Sequence, residues 1–389
     1  MAYMLRESGL KVALLEKGRF PKDKICGDGL TLDIVQQLER MDPGLALKFE
    51  SLAQKISSNG IRVISPSKEE LLIPFIKNGK KASYYLCQRK VFDQFLYEQS
   101  LQNKDLTVFL DTRVEEVRYQ GSGVAVRTNT GTFNCSLIVG ADGAHSVVAS
   151  RLLCKSIGRR HHFAGLRRYY SNVSGLTPEN YLEIFFLKPI LPGYLWIFPL
   201  PDGKTNVGLG VLSSTVSKRN LDLKKMMTEL LNTDPNLKER FKNAQALEPI
   251  RGHGLPLASR HLRRSGNRFL LLGDAPSLID PLTGEGVGNA IRSGRFAADM
   301  IRAAFGQQWF DSAFLKKYDL RLKQAMGSEI RLNTFVHKMI VYPSVSSFLI
   351  HRANRSSYVI NGISEIMHSE SKSPVKTMTK VLYKMLVSP

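Results

Sequence analysis

The order of apolar and polar positions predicts a nucleotide-binding α/β fold near the start of the chain. Residues 11–16 (KVALLE) form a short apolar run that ends in an acid, and the run follows Gly9, a typical helix stop signal. A helix end, a tight turn, a buried parallel strand and a terminal acid make up the second half of a βαβ unit. We therefore expect a parallel sheet here, with the acid at the end of one strand.

The rest of the pattern predicts a second sheet and a helical C-terminal part. Helical periodicity is found from about residue 31 and in residues 88–102, 221–245, 286–305 and 315–389. Strand patterns are found in residues 61–75, 106–139, 181–187, 194–198, 205–211 and 269–272. Strand patterns are concentrated in residues 163–213, which predicts an antiparallel sheet inserted between nucleotide-binding segments.

The composition favours an anionic partner. The 389 residues include 55 Lys and Arg against 34 Asp and Glu, a formal net charge of +21. Such an excess suits nucleic acid, an anionic membrane or a polyanionic ligand. The basic residues are scattered, and no RNP segment, zinc finger or basic zipper accompanies them. We therefore expect no nucleic-acid partner, and favour a membrane surface or a diphosphate.

Cysteine spacing and hydropathy argue against metal sites, disulfides and membrane spans. The four cysteines (Cys26, Cys87, Cys135 and Cys154) form no CxxC pair and no metal-ligand spacing. We expect reduced thiols and no bound metal. No run reaches the roughly 18 apolar residues of a spanning helix, and the N-terminus lacks the apolar core of a signal peptide. The predicted localisation is cytoplasmic.

Glu16 is the acid at the end of the first predicted strand. In dinucleotide-binding units an acid there accepts hydrogen bonds from the adenosine ribose hydroxyls; a solvated acid at a strand end is the alternative. The companion glycine motif should lie roughly 20 residues before the acid, which is before Met1. We therefore expect a chain that begins after its first nucleotide-binding strand, and that binds a dinucleotide weakly.

Two later segments repeat a strand–acid–glycine pattern. Residues 137–146 (LIVGADGAHS) end a buried strand in a turn that presents Asp142. Residues 272–288 (LGDAPSLIDPLTGEGVG) present Asp274 at the carboxyl end of another strand, where open α/β sheets bind ligands. The glycines at the end of this segment open a helix whose free N–H groups suit a phosphate or an electron-rich ring edge. Each segment alone could be an ordinary turn, but their order makes coincidence improbable.

GADGAHS and GDAPSLIDPLTGEGVGNA resemble the second and third FAD fingerprints of the p-hydroxybenzoate-hydroxylase-like flavoproteins. The resemblance implies that Asp142 lies near the pyrophosphate and that Asp274 bonds the ribityl chain. Arg89, at the start of a helix, matches an arginine that contacts the cofactor in that group. The implied FAD-binding residues are Glu16, Arg89, Asp142, Gly143, Gly273, Asp274, Pro281, Gly284, Gly286 and Val287.

Two further segments narrow the resemblance to the geranylgeranyl reductases. Residues 21–30 (PKDKICGDGL) are similar to that family's cysteine–glycine segment; a plain turn is the alternative. Residues 194–210 fit its YxWxFP-x8-GxG pattern without a gap. The resemblance implies that Cys26 and Gly27 are catalytic residues beside the flavin ring. It implies a prenyl-chain site lined by Tyr194, Trp196, Phe198, Gly208 and Gly210, and an ordinary sheet core is the alternative.

The expected architecture is an α/β FAD-binding Rossmann-like domain without its first strand, an inserted antiparallel β substrate domain and a helical C-terminal part. The FAD domain is assigned to residues 1–58, 84–158 and 250–312, the substrate domain to residues 59–83 and 159–249, and the C-terminal part to residues 313–389.

The function implied by the resemblance is reduction of C=C bonds in a geranylgeranyl or other polyprenyl chain by hydride transfer from reduced FAD. NAD(P)H is the expected reductant, and a ferredoxin is the alternative. A flavin monooxygenase or halogenase shares both fingerprints and is the rival enzyme class. A truncated, FAD-poor and inactive fragment is the second rival.

Two features leave alternatives open. His253 lies between glycines and either approaches the flavin or has a structural role. Near the C-terminus, lysines recur every four residues while apolar residues share another face (Val375, Met378, Val381, Leu382 and Met385). This basic amphipathic helix either lies on the inner face of an anionic membrane or docks on its own domain.

Overall fold

The computed structural model describes residues 1–77, 80–81, 84–153, 159–260, 262–340, 342–368 and 374–387. Its strands are β1 (Val12–Leu15), β2 (Gly29–Leu30), β3 (Ile56–Ser58), β4 (Gly60–Ile64), β5 (Glu70–Pro74), β6 (Ile76–Lys77), β7 (Lys80–Lys81), β8 (Tyr84–Leu86), β9 (Leu106–Phe109), β10 (Val114–Gln120), β11 (Gly123–Thr128), β12 (Thr132–Cys135), β13 (Ile138–Gly140), β14 (His162–Ser171), β15 (Leu182–Phe185), β16 (Gly193–Pro199), β17 (Lys204–Leu212), β18 (Gln245–Ala246), β19 (Arg251–Pro256), β20 (Ser265–Gly266) and β21 (Phe269–Leu271). Its α-helices are α1 (Leu32–Met41), α2 (Pro43–Glu50), α3 (Arg89–Ser100), α4 (Val147–Leu153), α5 (Ser213–Arg219), α6 (Leu223–Thr233), α7 (Lys238–Phe241), α8 (Val287–Gln307), α9 (Ser312–Ile340), α10 (Pro343–Asn354), α11 (Ser357–His368) and α12 (Pro374–Val387).

Parallel strand pairs form the nucleotide-binding part, as the apolar runs predict. β1 pairs in parallel with β9, and β13 pairs in parallel with β21. Residues of β21 are fully buried because the strand lies within the hydrophobic core, where Leu270 packs with Leu5 and with the apolar face of α8. Val12 of β1 and Val139 of β13 pack against the same cluster. The helix predicted to stop at Gly9 is only a 3₁₀ turn, Tyr3–Leu5, and Gly9 lies four residues beyond it with a left-handed φ of 66°.

The second unit is an eight-stranded sheet in the order β18-β14-β17-β16-β15-β4-β5, with β19 also paired to β14. Its pairings are antiparallel except one, because β15 runs parallel to β4. The expected antiparallel sheet is therefore mixed. β4 and β5 come from a segment far earlier in the chain, so their hairpin adds to the β15 edge without the constraint of a tight turn.

One face of this sheet is covered by helices. Leu195 and Ile197 of β16 are fully buried in a cluster with Met227 and Leu231 of α6 and Phe241 of α7. Because side chains alternate along a strand, the other residues of β16 project to the opposite face. That opposite face carries the candidate site.

The C-terminal helices pack on the edge of the large sheet. α10 and α11 contact β5, with Ile350 and Val359 in one buried cluster with Leu71. Val381 of α12 is 1% exposed and Met378 packs beside it, so these two residues dock on the protein itself. The side chains of Val375, Leu382 and Met385 lie outside the described residues.

The chain shows no membrane-spanning element in the part that the structure describes, where no helix is both long enough and apolar enough to cross a bilayer. Cys26, Cys87 and Cys135 are free thiols, and Cys154 lies outside the described residues.

Candidate functional site

The ends of three strands converge on His253. Lys17 follows β1, His145 follows β13 and Asp274 follows β21, and all three lie close enough to His253 to shift its pKa. Burial lowers the pKa of His253, and the positive charge of Lys24 lowers it further, while Asp274 acts in the opposite direction. The sequence pattern predicted that the acid-bearing strand ends would meet at one edge of the sheet. β13 and β21 are neighbouring parallel strands, so Asp142 and Asp274 follow strands that end at the same edge, whereas β1 pairs with β9 in a separate sheet.

Asp274 is buried at that edge. Its side chain is 8% exposed, and its Oδ2 accepts a hydrogen bond from Lys24 Nζ at 2.9 Å. Its Oδ1 lies beside the start of α8, since a Cβ added to Gly286 would be 3.4 Å away. Gly273 has a φ of 59°, and a Cβ there would be 3.1 Å from Ala290 Cβ, so α8 crosses the strand end closely. The first-turn N–H groups of α8 therefore lie next to Asp274, where they can serve an anionic or electron-rich group.

Asp142 binds within its own segment, whereas Arg89 binds both Asp93 on its own helix and Cys26 of the cysteine loop. The Asp142 carboxylate accepts hydrogen bonds from the Val147 N–H at 2.7 Å and from the Ser146 hydroxyl at 2.5 Å, so it caps α4. Arg89 pairs with Asp93 one turn later at 2.8 Å. Both side chains have protein partners in this structure, so a ligand contact would share or replace them.

Glu16 lies at the end of β1, as predicted. Its Oε1 accepts a hydrogen bond from the Gly18 N–H at 3.0 Å, and its Oε2 pairs with Lys22. After the end of β13, Gly143 has a φ of 78°, and a Cβ added there would meet no atom within 4 Å. The backbone therefore faces open space beside Asp142.

Three aromatic side chains share the face of β16 that lies opposite the helix-covered core. The ring centroids of Tyr194 and Trp196 are 6.2 Å apart, and those of Trp196 and Phe198 are 6.4 Å apart. Leu195 and Ile197 between them point into the helix-covered core. The prediction that all three aromatic residues lie on one side of a sheet is confirmed.

Cross-strand register explains the spacing of the two glycines. Trp196 pairs with Gly208 of β17, and Tyr194 pairs with Gly210. A Cβ added to Gly208 would overlap the Trp196 ring and the Leu166 carbonyl oxygen. The indole can therefore lie flat over the neighbouring strand only because Gly208 has no side chain.

The Cys26–Gly27 loop lies on this aromatic face. A Cβ added to Gly27 would be 3.1 Å from the Phe198 ring and 3.6 Å from Trp196 Nε1. The Cys26 carbonyl accepts a hydrogen bond from Asn206 Nδ2 at 2.8 Å. The structure thus places the predicted catalytic segment directly against the predicted substrate wall.

The start of α8 closes the third side of the site. Tyr194 donates from its hydroxyl to the Thr283 carbonyl at 2.5 Å. Thr31, just after β2, donates to Glu285 Oε1 at 2.7 Å. Burial, reinforced by the nearby charge of Asp33, raises the pKa of Glu285 to about 8. The cysteine loop, the aromatic face and the α8 start therefore surround one common region.

Residues 164–253, which span the aromatic strand and both glycines, match the family model described as the geranylgeranyl reductase catalytic domain. This segment is similar to the catalytic domain of the geranylgeranyl reductases. The sequence motifs predicted this family, and the match confirms it for the segment that carries the aromatic face.

Two relatives of the chain are named as reductases. The chain is 27% identical over 303 residues to a menaquinone reductase of Mycolicibacterium smegmatis, which covers 76% of this chain and 71% of the relative. It is 26% identical over 343 residues to a digeranylgeranylglycerophospholipid reductase of Methanosarcina acetivorans, which covers 86% of this chain and 80% of the relative.

Solved structures share the fold. A geranylgeranyl bacteriochlorophyll reductase-like protein from Thermoplasma acidophilum superposes with a TM-score of 0.80 at 21% identity, over 98% of this chain and 95% of that one. A flavin-dependent brominase, Bmp2, superposes with a TM-score of 0.78 at 20% identity, over 98% and 94% of the two chains. The chain therefore has the α/β fold of these proteins, as its motifs predict.

The residues at the site fit FAD. Gly143 lacks a side chain after β13, where an added Cβ would meet no atom within 4 Å, so a ligand can approach the backbone there. Lys17 and Lys24 lie near the strand ends, where cations suit a pyrophosphate. Asp274 is an acceptor suited to hydroxyl groups of a ribityl chain.

Several polar residues of the candidate site were not predicted from the sequence, namely Lys24, Tyr169, Asn206 and Glu285. Asn206 could have been found, because it lies two positions before Gly208 on a strand and so shares its face. Lys24 and Tyr169 gave no comparable signal, since their partners are distant in the chain.

Proposed function

We propose that this chain saturates C=C bonds in the polyprenyl chain of a lipid, with FAD as the bound redox cofactor. One observation carries the proposal: the Cys26–Gly27 loop lies against the aromatic face of a segment that matches the geranylgeranyl reductase catalytic domain. The names of the relatives, which include a quinone reductase and a phospholipid reductase, support the same class of substrate.

The chain's residues would act mainly by binding and by excluding water. Reduced FAD supplies the hydride in such a reduction. Tyr194, Trp196 and Phe198 would contact the apolar tail, whose binding derives from buried area at roughly 25 cal/mol per Å². Asp274 and the α8 start would hold the ribityl chain and the ring edge. Glu16, Arg89, Asp142 and the glycines predicted from the motifs are proposed as the remaining FAD contacts.

The test is an anaerobic reduction. FAD-loaded protein is incubated with dithionite and a lipid that carries a geranylgeranyl chain, and products are analysed by mass spectrometry. We expect a product that gains two hydrogens per saturated bond without oxygen. A product that is hydroxylated or halogenated, and that forms only with oxygen, would instead support a flavin monooxygenase or halogenase. The brominase with a similar fold belongs to that rival class.

Two finer features belong to the same proposal. We propose NAD(P)H as the physiological reductant. The test is to add NAD(P)H to the FAD-loaded protein under argon. A bound flavin that stays oxidised would favour a reduced ferredoxin as the electron donor instead. We propose that the head group is a quinone or a glycerophosphate, as in the named relatives. Parallel reactions with a menaquinone and with a digeranylgeranyl phospholipid distinguish the two head groups by their relative kcat/KM.

We also propose peripheral association with an anionic membrane, through the C-terminal helices. Met378 and Val381 of α12 pack internally, so the contact would use exposed aromatic residues instead. Those with about half or more of their surface exposed are Phe335, Tyr342, Phe348, Tyr358 and Tyr383. Lys384 lies 6.0 Å above the Tyr358 ring, so cations accompany these aromatic residues as in interfacial surfaces.

Vesicle sedimentation tests the membrane surface. We expect the protein to sediment with vesicles that contain anionic lipid and to remain free with zwitterionic ones. Replacing Phe348 and Tyr383 by serine should weaken sedimentation, whereas Leu101→Ser, at a similarly exposed site just after α3, should not. If sedimentation falls equally in both variants, the proposed surface does not bind the vesicles.

A further inference from the structure

We propose that Asp28, together with Tyr169 and Asn206, is a positioning group that fixes the Cys26–Gly27 peptide against the aromatic face and so sets where the reacting double bond stops. This inference rests on the proposed function. It extends that function because it names the residues that would decide which bond of a repetitive prenyl chain is reduced.

Asp28 is a fully buried carboxylate with three donors. Its Oδ1 accepts the backbone N–H of Arg89 at 3.0 Å. Its Oδ2 accepts the Tyr169 hydroxyl at 2.7 Å and Asn206 Nδ2 at 2.7 Å. Such a set of donors satisfies an ionised carboxylate, and it joins three elements: the cysteine loop, the start of α3 and the large sheet.

Asn206 carries the restraint from Asp28 to both sides of the candidate site. Its Nδ2 also donates to the Cys26 carbonyl at 2.8 Å, and its Oδ1 accepts the indole N–H of Trp196 at 2.9 Å. One amide therefore fixes the cysteine loop and the central aromatic ring relative to each other. If Asp28 is protonated on Oδ2, the amide loses one of the two acceptors that define its orientation.

The backbone of Asp28 supports this role. Its φ is 64°, in the left-handed region that costs a non-glycine residue about 1 kcal/mol or more. The neighbours Gly27 and Gly29 could adopt that conformation without cost. A residue held there by three hydrogen bonds is consistent with a site where the side chain is needed.

Charged groups around Asp28 are paired among themselves. The Arg167 guanidinium is fully buried, lies 3.8 Å from the Tyr169 ring centre, and pairs with Asp23 at 2.7 Å and with Glu248. On α3 the Arg89 guanidinium pairs with Asp93. The Cys87 thiol also lies near, and its pKa is raised to about 12 by burial and by the Asp28 charge, so it stays neutral.

These surroundings place the titration of Asp28 in an accessible range. Burial raises the pKa of Asp28 to about 6, while the hydrogen bonds from Tyr169, Arg89 and Asn206 and the charge of Arg167 act against burial. Above this value the carboxylate accepts from all three donors. Below it, the added proton must occupy an oxygen that a donor already faces, so the network has to rearrange.

A fluorescence titration of the cofactor-free protein tests the network without relying on enzyme activity. The chain has two tryptophans, Trp196 and Trp309, so a Trp309→Phe background isolates the indole that Asn206 binds. We expect its emission to change with a midpoint near pH 6. Asp28→Asn should abolish this transition. No transition between about pH 5 and 7, or an unchanged one in Asp28→Asn, would overturn the network.

A matched pair of variants tests the positioning role. Tyr169→Phe removes one donor to Asp28, and Tyr170→Phe removes the hydroxyl of the adjacent tyrosine, which is equally buried but packs edge-on against Phe241 on the other face. We expect Tyr169→Phe and Asp28→Asn to lower kcat about tenfold or more and to shift the pattern of saturated bonds, because small displacements of a reacting group are costly. FAD affinity and KM should stay near the parent values.

The outcomes separate the inference from the function on which it rests. If the parent reduces prenyl chains and Asp28→Asn keeps the parent kcat and product pattern, the positioning role is wrong. If the parent reduces no prenyl chain but the fluorescence transition depends on Asp28, the proposed function is wrong and the role in reduction fails with it, while the network remains. Tyr170→Phe should match the parent in every measurement.

Discussion

Replacing Gly208 by alanine tests the explanation of the aromatic face. The new Cβ would overlap the Trp196 ring and the Leu166 carbonyl oxygen, so the indole must move. Overpacking of this kind costs about 1–3 kcal/mol. If the indole also leaves the Asn206 acceptor, a further penalty of about 1–3 kcal/mol follows. Alanine also restricts the unfolded chain, which stabilises the folded state by about 0.4–1 kcal/mol. The free energy of unfolding should therefore fall by about 1–5 kcal/mol in total.

Gly210→Ala is the matched control for this substitution. It lies on the same strand and the same face, but a Cβ there would be 4.0 Å from the Trp196 ring, an ordinary contact. We therefore expect Gly210→Ala to be neutral or slightly stabilising. The assay is urea unfolding followed by tryptophan fluorescence, with near-ultraviolet circular dichroism to follow the indole. Equal unfolding midpoints in the two variants would refute the packing argument.

Three further predictions concern other parts of the protein. Burial raises the folded-state pKa of Glu285 from 4.5 to about 8, so the parent should lose stability as pH rises between these values. The loss should be smaller in Glu285→Gln, which keeps the contribution of Asp28 near pH 6, and urea midpoints near pH 5 and pH 8 measure the difference. Lys24→Met removes a positive charge that lowers the pKa of His253, so that pKa should rise in an NMR titration. Gly362→Ala improves helix propensity but places a Cβ 2.5 Å from Val381 Cγ2, so α12 should detach and be cleaved faster by trypsin.

Each of these predictions has a control in the chain. Glu7→Gln removes a carboxylate whose side chain is 83% exposed and should leave the pH dependence of the parent unchanged. Lys204→Met removes a lysine of similar exposure on the large sheet, and it should not move the pKa of His253. For α12, an unchanged cleavage rate in Gly362→Ala would contradict internal docking.

The local parts of the site could be predicted from the sequence because each depends on neighbouring residues. Alternation alone places Tyr194, Trp196 and Phe198 on one face of a strand. An apolar run that ends in a glycine turn places Asp274 at the carboxyl end of a buried strand. The glycine spacing could be recognised as a motif, but its cause, the register of Trp196 against Gly208, depends on a neighbouring strand.

Contacts between distant segments could not be predicted in the same way. Lys24 and Asp274 are 250 positions apart, and Thr31 and Glu285 are 254 positions apart. No periodicity links such pairs, because their approach depends on how α8 and the cysteine loop pack on the sheet.

Sequence alone determined the α/β alternation, the aromatic face and the acids at the strand ends, since these follow from backbone geometry over a few residues. The tertiary structure decided which groups meet: Asn206 joins Cys26 to Trp196, and Met378 and Val381 of α12 pack on the protein's own core. An amphipathic pattern determines only that the apolar face of the helix must be buried. Which surface covers it depends on the free energy of competing long-range contacts, which one segment does not encode.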